Sequence, residues 1–431
     1  MSASPRPPTS THTHPRLIQL ALVAGLVLLG IRAALASASF MAPGGAILGW
    51  STLPAAHCVV CSVRVPTAQP NQAHPHTLTP EAYAALLTQH LSLDEELGQL
   101  MMVQISGQEL TPDAIEMINA QGAGGVLFFA ANMGSGSQIR SLTAQMQHIA
   151  PVPLLLSIDQ EGGAVNRFYN LVGTLPSAAS LTSPAQARAR GQQDAAMLHR
   201  YGFNLNLAPV VDVGTRNPQL WTRTFGTSPE RVAAMAGAYL EGLQQSGLVA
   251  GCLKHFPGIG STTTDPHVGL PVLNRSRADW EGTDLAPYRA LLTHDDVRAI
   301  MVTHEMIPAV DPDLPSSLSP TIIDGVLRHE LGYNGVIITD SLYMGALNQH
   351  WSVSQAIVLA IEAGADIVIG PYTPQMVADA ETELKQAISD GALTRARIDA
   401  SVQRILALKI RMGLISLPRQ ASSQSATPVS G

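Results

Sequence analysis

The sequence predicts an α/β protein of the (β/α)8 TIM-type barrel class, with a single catalytic domain. Eight short apolar runs alternate with helical patterns between residues 86 and 416. Most of these runs are continuous rather than alternating, which is typical of parallel strands buried on both faces. Hydrophobic residues make up 46% of the 431 residues and aromatic residues only 4%, which suits an α/β protein better than a β-sandwich. An open doubly wound sheet is the alternative, but no Gly-x-Gly-x-x-Gly follows the first run.

The predicted elements follow one another as strand–helix repeats. The strands are 99–106, 124–130, 153–159, 204–213, 248–256, 297–305, 334–340 and 365–370. The helices include 111–120, 137–149, 183–200, 229–245, 319–331, 353–363 and 395–412. Ser92 precedes Glu95 by three residues, which predicts a capping box at a further helix start. Asp94 and Glu95 are therefore interpreted as helix-start charges rather than catalytic ones.

Residues 1–40 are predicted to be a signal peptide or a membrane anchor. Arginines precede the uncharged apolar run 17–31, and small residues follow it, as in an export signal. Arg32 interrupts that pattern, and residues 17–40 are long enough to span a membrane, so attachment through this segment is the alternative. In both cases the barrel is expected outside the cytoplasm, secreted or anchored to the cell membrane.

Three further features lie around the barrel. Residues 41–85 are rich in Pro, Ala and Gln and are predicted to form a linker, and residues 417–431 a disordered tail. Cys58 and Cys61 form a Cys-x-x-Cys that favours a local disulfide over two free thiols, and the lack of a second such pair excludes a zinc site of four cysteines. Cys252 lies in an apolar run and is predicted to be in the core.

The net charge of −7 without a basic stripe argues against nucleic-acid binding.

Charged side chains close several of the apolar runs. In a (β/α)8 barrel the active site lies at these strand ends. The candidates are Asp159, Asp212, Lys254, His255, His304, Glu305 and Asp340, with Arg223 in the loop after the fourth strand. Charged groups are costly in such positions unless a partner or a substrate uses them. A satisfied buried ion pair is the alternative for any one of them.

Asp340 is the clearest single candidate. It ends the run "NGVIITD" and is followed by a loop or helix start. A carboxylate at a strand end, directed into a pocket, suits a nucleophile or a general base. Lys254 and Arg223 are expected to lie close enough to keep it ionised.

The segment 254–267, "KHFPGIGSTTTDPH", predicts a loop with a proton-transfer pair at its tip. Asp265 and His267 flank Pro266, whose extended backbone allows both side chains to point to the same side. The carboxylate can hold the imidazole in one tautomer and raise its basicity. A surface Asp-Pro-His turn is the alternative. No Gly-Lys-Ser/Thr follows the glycines, so the segment is not a phosphate-binding loop.

Several motifs in the same order resemble those of glycoside hydrolase family 3, and in particular its β-N-acetylglucosaminidase branch. They extend from about residue 93 to 415. The quoted segments are "SIDQEGGAVNRF", "NLNLAPVVDV", "RTFGTSPE", "KHFPGIGSTTTDPHVGLP", "VTHEMIPAVDPDLPSSLSP", "LRHELGYNGVIITDSLYMGAL" and "RILALKIRMGL".

This resemblance implies a retaining exo-acting glycosidase that releases terminal β-linked N-acetylglucosamine without a metal or other cofactor. Asp340 would form a covalent glycosyl-enzyme, and His267 with Asp265 would be the acid/base. Four further residues would hold sugar hydroxyls: Asp159, Arg223, Lys254 and His255. Other family members have a second domain that supplies a glutamate acid/base. Too few residues follow the barrel here for such a domain, which favours the Asp-x-His branch.

The sequence departs from the family pattern at two positions. Ile259 stands where the family has a second histidine, which removes a polar group near the site. Pro266 stands where serine is usual, which stiffens the Asp–His spacing. Within the family, a β-glucosidase, a β-xylosidase or a glycoside phosphorylase is the alternative. Outside it, the alternatives are an inactive sugar-binding relative and a metal-dependent barrel hydrolase, which would need a His-x-His that the first strand lacks.

Overall fold

The computed structural model of the chain describes residues 78–294 and 296–418, and all of these belong to one structural unit. The predicted signal or anchor, the Cys58–Cys61 pair, most of the linker and the tail from residue 419 lie outside the described residues. Among the residues that the structure describes, no helix is both long enough and apolar enough to cross a membrane.

Eight parallel strands close into a barrel. In chain order the strands are β1 Met101–Gln104, β2 Gly125–Phe128, β3 Leu155–Ile158, β6 Leu205–Asn206, β7 Ala250–Phe256, β8 Ala299–Val302, β9 Val336–Ser341 and β10 Ile367–Ile369, with a small hairpin of β4 Gln160–Gly162 and β5 Val165–Asn166 after β3. The order around the barrel is β1-β10-β9-β8-β7-β6-β3-β2. Each predicted apolar run contains one barrel strand, so the predicted (β/α)8 fold is confirmed.

The fourth predicted strand is the least regular. In run 204–213 the regular ladder pairs lie at Leu205–Asn206, and Pro209 beyond them has no N–H to donate. The backbone returns to β7 just beyond, where Val210 bridges Lys254 and the Val211 N–H donates to the Lys254 carbonyl at 2.6 Å. This irregular stretch leads to Asp212 and so brings that carboxylate to the rim of the barrel.

Helices surround the barrel. The α-helices are Pro80–Thr88, Leu93–Gln99, Pro112–Ile115, Gly136–Ile149, Tyr169–Val172, Pro184–Arg200, Pro229–Gln244, Arg277–Thr283, Ala286–His294, Gly345–Asn348, Val353–Ala363, Pro374–Ser389 and Arg395–Arg411. Glu116–Ala120 and Thr321–Glu330 are π-helical, and Ala130–Asn132, Ala178–Ser180 and Ser316–Leu318 are short 3-10 turns. The predicted helices are all present, and the helices at 277–294 and 374–389 complete the repeat.

The two ends of the described chain pack together. Helix Pro80–Thr88 begins before the predicted start of the domain at residue 86 and buries Tyr83 and Leu87 in the common core. This helix therefore includes residues of the predicted linker 41–85. The capping box is confirmed, since the Ser92 N–H donates to Glu95 Oε2 at 2.7 Å and the Glu95 N–H to Ser92 Oγ at 3.3 Å. Cys252 is a free, fully buried thiol, as predicted.

Candidate active site

The carboxyl ends of the strands surround a cavity of about 550 Å³. Its lining includes the predicted residues Asp159, Arg223, Lys254, His255, His267 and Asp340. Asp265 lies directly behind His267 and is hydrogen bonded to it. The structure therefore brings the predicted site residues together, as the barrel topology requires.

Buried ion pairs occupy one wall of the cavity. Lys254 Nζ lies 2.7 Å from Asp159 Oδ1 and 2.7 Å from Glu161 Oε1. Arg223 binds the same Glu161 carboxylate in bidentate fashion, at 2.7 and 2.8 Å. Burial by itself raises the pKa of Asp159, but the positive charges of Lys254 and Arg167 lower it below its ordinary value. In the same way, Arg223 and Lys254 outweigh burial and lower the pKa of Glu161 well below its usual range. Both carboxylates are therefore charged.

His255 is held in one tautomer. Its Nδ1 lies 2.6 Å from Asp212 Oδ2, and its Nε2 lies 3.3 Å from Arg223 Nη2. Because a guanidinium nitrogen can only donate, Nε2 accepts and Nδ1 carries the proton for Asp212. The Ile259 N–H donates to the other oxygen of Asp212 at 2.9 Å. Asp212 therefore orients His255 from outside the cavity.

Asp340 is half-buried at the end of β9, and its Oδ1 accepts a hydrogen bond from the Ser341 N–H at 2.8 Å. Lys254 and Arg223, the two cations expected near Asp340, form their ion pairs with Asp159 and Glu161. Behind it, His304 donates from Nε2 to the Ser341 carbonyl at 2.9 Å and accepts from Ser317 Oγ at 2.7 Å. Burial lowers the pKa of His304, although the charge of Asp340 opposes that shift, so the imidazole is neutral.

Asp265 and His267 form a dyad at the tip of the loop 257–269, called the dyad loop below. Asp265 Oδ1 accepts from the His267 N–H at 2.9 Å and lies 2.8 Å from His267 Nδ1. Burial alone raises the pKa of the Asp265 carboxyl, but the hydrogen bonds from His267 lower it below its ordinary value. The carboxylate therefore fixes the Nδ1–H tautomer, and the second ring nitrogen, Nε2, remains available at the cavity. The imidazole side chain is 60% exposed.

The dyad loop is docked on the segment that follows Asp340. The Ala346 N–H donates to the Pro266 carbonyl at 3.0 Å. Gly345 leaves no room for a side chain there, since a Cβ would lie 2.5 Å from the His267 carbonyl oxygen. This close backbone approach places the dyad beside the strand end that holds Asp340.

Sequence reasoning missed several residues of the site. Glu161, Arg167 and Gln219 line the cavity, but none was predicted to have a role. Glu161 and Arg167 both lie in the quoted "SIDQEGGAVNRF", where a second acid two residues after the strand end was the available signal. Glu305 does not line the cavity; its side chain is fully buried, and burial raises its pKa well above the usual range. Within the described ranges, no three His, Cys, Asp or Glu side chains converge as a metal ion would require.

Charged side chains and the hydrogen-bonded Asp265–His267 pair thus lie around an open cavity at the carboxyl ends of the strands of a (β/α)8 barrel. Residues 92–408 match the glycosyl hydrolase family 3 N-terminal domain. A β-hexosaminidase of Stenotrophomonas maltophilia (strain R551-3) is 33% identical over 290 residues, which are 65% of this chain and 85% of that protein. The chain belongs to glycoside hydrolase family 3, and it is an enzyme that hydrolyses O-glycosyl bonds.

Solved structures agree with this assignment. A family 3 β-N-acetylglucosaminidase from Paenibacillus sp. FPU-7 superposes with a TM-score of 0.72 at 36% identity, over 79% of this chain and 66% of that one. LpqI of M. tuberculosis superposes with a TM-score of 0.68 at 32% identity, over 77% of this chain and 96% of that one.

Proposed function

We propose that the protein is a retaining exo-acting β-N-acetylglucosaminidase that releases a terminal β-linked N-acetylglucosamine. The observation that carries the proposal is the docking of the Asp265–His267 dyad beside the strand end of Asp340. A nucleophile and a proton donor at one cavity are the two groups that a double-displacement glycosidase needs. The names of the relatives, β-hexosaminidase and β-N-acetylglucosaminidase, support the choice of sugar.

In the first step, Asp340 attacks the anomeric carbon while His267 donates its Nε2 proton to the glycosidic oxygen. The bond between carbon and leaving oxygen breaks, a glycosyl ester of Asp340 forms, and the leaving alcohol departs with the proton. In the second step, the neutral His267 takes a proton from water, and the water oxygen replaces Asp340 at the same carbon. Asp265 stabilises the imidazolium before the first transfer and after the second.

The buried ion pairs are proposed to hold the hydroxyl groups of the terminal sugar. Lys254, Arg223 and His255 present nitrogen donors or acceptors at the cavity, and Asp159 presents a carboxylate that accepts from hydroxyls. Their mutual hydrogen bonds hold each side chain in one rotamer. Little side-chain conformational entropy is therefore lost when a sugar binds.

A substrate comparison tests the choice of sugar. We expect the 4-nitrophenyl N-acetyl-β-glucosaminide to be turned over much faster than the β-glucoside or β-xyloside, and with no dependence on phosphate. Faster turnover of the glucoside or the xyloside would contradict the proposal.

A His donor leaves one negative charge fewer at the site than a carboxylate does, which would ease the approach of an anion. Phosphorolysis is therefore the second candidate, and sugar 1-phosphate formed in phosphate buffer would support it.

A mechanism-based label tests the covalent step. After treatment with a 5-fluoro N-acetylglucosaminyl fluoride, peptide mass mapping is expected to find the sugar on Asp340. Substrate-assisted attack by the acetamide is the competing route to retention. Turnover through an oxazoline with no label on the protein would contradict the proposed nucleophile.

We also propose that the enzyme acts outside the cytoplasmic membrane, on cell-wall fragments if its host is bacterial. The support is the apolar run 17–31 with its basic flank. A reporter fused after residue 85 is expected to be exported. A reporter that is active only in the cytoplasm would contradict this location.

A further inference from the structure

We propose that Gln219 is a positioning residue for the acid/base dyad and connects it to the sugar-binding charges. The inference rests on the proposed role of His267. Gln219 lines the cavity and is half-buried. Its side-chain Nε2 donates to Asp265 Oδ2, and its main-chain oxygen accepts from Arg223 Nη1 at 3.1 Å.

The contact with Gln219 completes the hydrogen bonding of the Asp265 carboxylate. One oxygen is occupied by the N–H and the imidazole of His267, and Gln219 occupies the other. With both oxygens bound, the carboxylate plane is fixed, and so is the direction of the His267 ring. Without Gln219, the carboxylate keeps its two bonds to His267 through Oδ1 but loses the bond that holds Oδ2, so the direction of an imidazole that is 60% exposed is less tightly fixed.

The loop that carries Gln219 is itself built into the dyad loop. Asn217 is fully buried, and its Nδ2 donates to Thr262 Oγ1 at 2.8 Å and to the Thr264 carbonyl at 2.9 Å. Its Oδ1 accepts the Gln219 N–H at 3.0 Å. One buried amide therefore ties the backbone of Gln219 to the segment just before Asp265, so the two side chains meet through a fixed frame.

A small apolar cluster supports the same frame. Ile259 of the dyad loop packs with Val210 and Leu220, and all three are buried. Leu220 directly follows Gln219, so burial of Leu220 sets the position at which the Gln219 side chain leaves the backbone. Ile259 thus contributes an anchor for the dyad loop.

Gln219 also joins the dyad to the charges proposed to bind the sugar. Arg223 binds Glu161 through Nε and Nη2 and the Gln219 carbonyl through Nη1. Protonation of the leaving group and binding of the terminal sugar therefore both depend on this loop, in which Gln219 contacts Asp265 and Arg223.

Leaving-group dependence separates positioning from a general structural role. Good leaving groups need little protonation, whereas a sugar alcohol needs full protonation. For Gln219→Ala we expect kcat/KM for N,N′-diacetylchitobiose to fall roughly tenfold, and for 4-nitrophenyl N-acetyl-β-glucosaminide less than about twofold. His267→Ala is the reference and should show the same selectivity more strongly. Gln349→Ala is the matched control, because Gln349 also holds the loop, donating to the Val268 carbonyl at 3.2 Å, but does not touch the dyad.

The pH dependence of Gln219→Glu adds a second readout. A glutamate there repels Asp265 when both are ionised, and it donates as the amide does only when it is protonated. The activity of this variant on the disaccharide, divided by that of wild type, is expected to rise as the pH falls. For Gln219→Ala the same ratio stays flat.

Each result decides between the proposals. Equal losses on both substrates in Gln219→Ala, with a leaving-group effect in His267→Ala, would overturn the role of Gln219 alone. Equal losses in His267→Ala would overturn the dyad and this inference with it. Unchanged Tm and unchanged inhibition by N-acetylglucosamine in the variants show that the fold and the sugar site are retained; loss of either in Gln219→Ala would assign the residue a structural role and overturn the inference.

Discussion

Two buried charge networks lie at opposite ends of the barrel. At the carboxyl ends of the strands, Asp159 and Glu161 pair with Lys254 and Arg223 around the cavity. At the amino end, Asp366 precedes β10 and is fully buried. It binds Arg404 at 3.0 Å, Ser401 Oγ at 2.6 Å and the Ile337 N–H at 2.9 Å, as well as Arg328.

Both networks consist of buried carboxylates paired with cations, but they differ in whether a ligand can reach the charged groups. The groups at the carboxyl end line a cavity, so a ligand can reach them. Asp366 does not line that cavity, and protein donors bind both of its carboxylate oxygens. Although burial raises the pKa of Asp366, its arginine neighbours lower it below its ordinary value, so it is charged in the fold. We therefore expect the carboxyl-end groups to serve the reaction and the amino-end groups to serve stability.

The largest difference between an effect on activity and an effect on stability is expected for a substitution of Asp340. Replacing it with Ala removes the proposed nucleophile, so turnover should fall by roughly three or more powers of ten. The side chain is bonded only to the neighbouring Ser341 N–H among the described contacts, so Tm should hardly change. Steady-state kinetics with the nitrophenyl substrate and a thermal melt measure both. A variant with full activity would show that another group is the nucleophile.

For a substitution of Asp366 we expect the opposite, which is a loss of stability without a loss of activity. Asp366→Ala leaves several arginines without their buried partner, so the free energy of unfolding should fall by about 3–5 kcal/mol. The activity of the remaining folded protein should be unchanged. Urea unfolding followed by activity titration tests this, with Asp94→Ala as the control. Asp94 makes an exposed ion pair with Lys385, and its loss should cost less than about 1 kcal/mol. Similar losses in both variants would argue against a stabilising network.

A third variant distinguishes proton donation from sugar binding among the residues at the carboxyl ends of the strands. His267→Ala should lose about 10²-fold or more in kcat/KM on a disaccharide but much less on a nitrophenyl glycoside. His255→Ala is the comparison, because a residue that binds the sugar should affect both substrates alike. A uniform loss in His267→Ala would mean that this imidazole only binds.

The smallest effect concerns a lone cation at the amino end. Lys409 is fully buried and donates to Gln99 Oε1 at 2.7 Å, and burial lowers its pKa to about 7. Between about pH 7 and the ordinary lysine pKa near 10.4, the unfolded chain binds more protons, so this residue makes stability rise with pH. Lys409→Met should therefore stabilise the fold by about 1–3 kcal/mol, and more at pH 6 than at pH 9. Chemical unfolding at both pH values checks this, and an equal change at both would contradict the shifted pKa.

Much of the barrel could be predicted because its signals are local. Continuous apolar runs mark strands that are buried on both faces, and each run contained one strand. Ser92 and Glu95 predicted a helix start because both partners lie within one turn. Asp265 and His267 predicted a hydrogen-bonded pair because Pro266 fixes their spacing. In each case the interacting groups are only a few residues apart, so chain geometry alone brings them together.

The partners of the charged groups were decided only by the tertiary structure. Lys254 and Asp159 are 95 positions apart, Arg223 and Glu161 are 62 apart, and Gln219 and Asp265 are 46 apart. Sequence patterns placed Lys254, Arg223 and Asp340 at one end of the barrel but did not indicate that the two cations pair with Asp159 and Glu161. Which groups pair depends on strand register and on the packing of two loops, and hydrophobic periodicity carries neither. The sequence by itself therefore determined the strand ends, whereas the ion pairs and the Gln219 contact arose when the barrel closed.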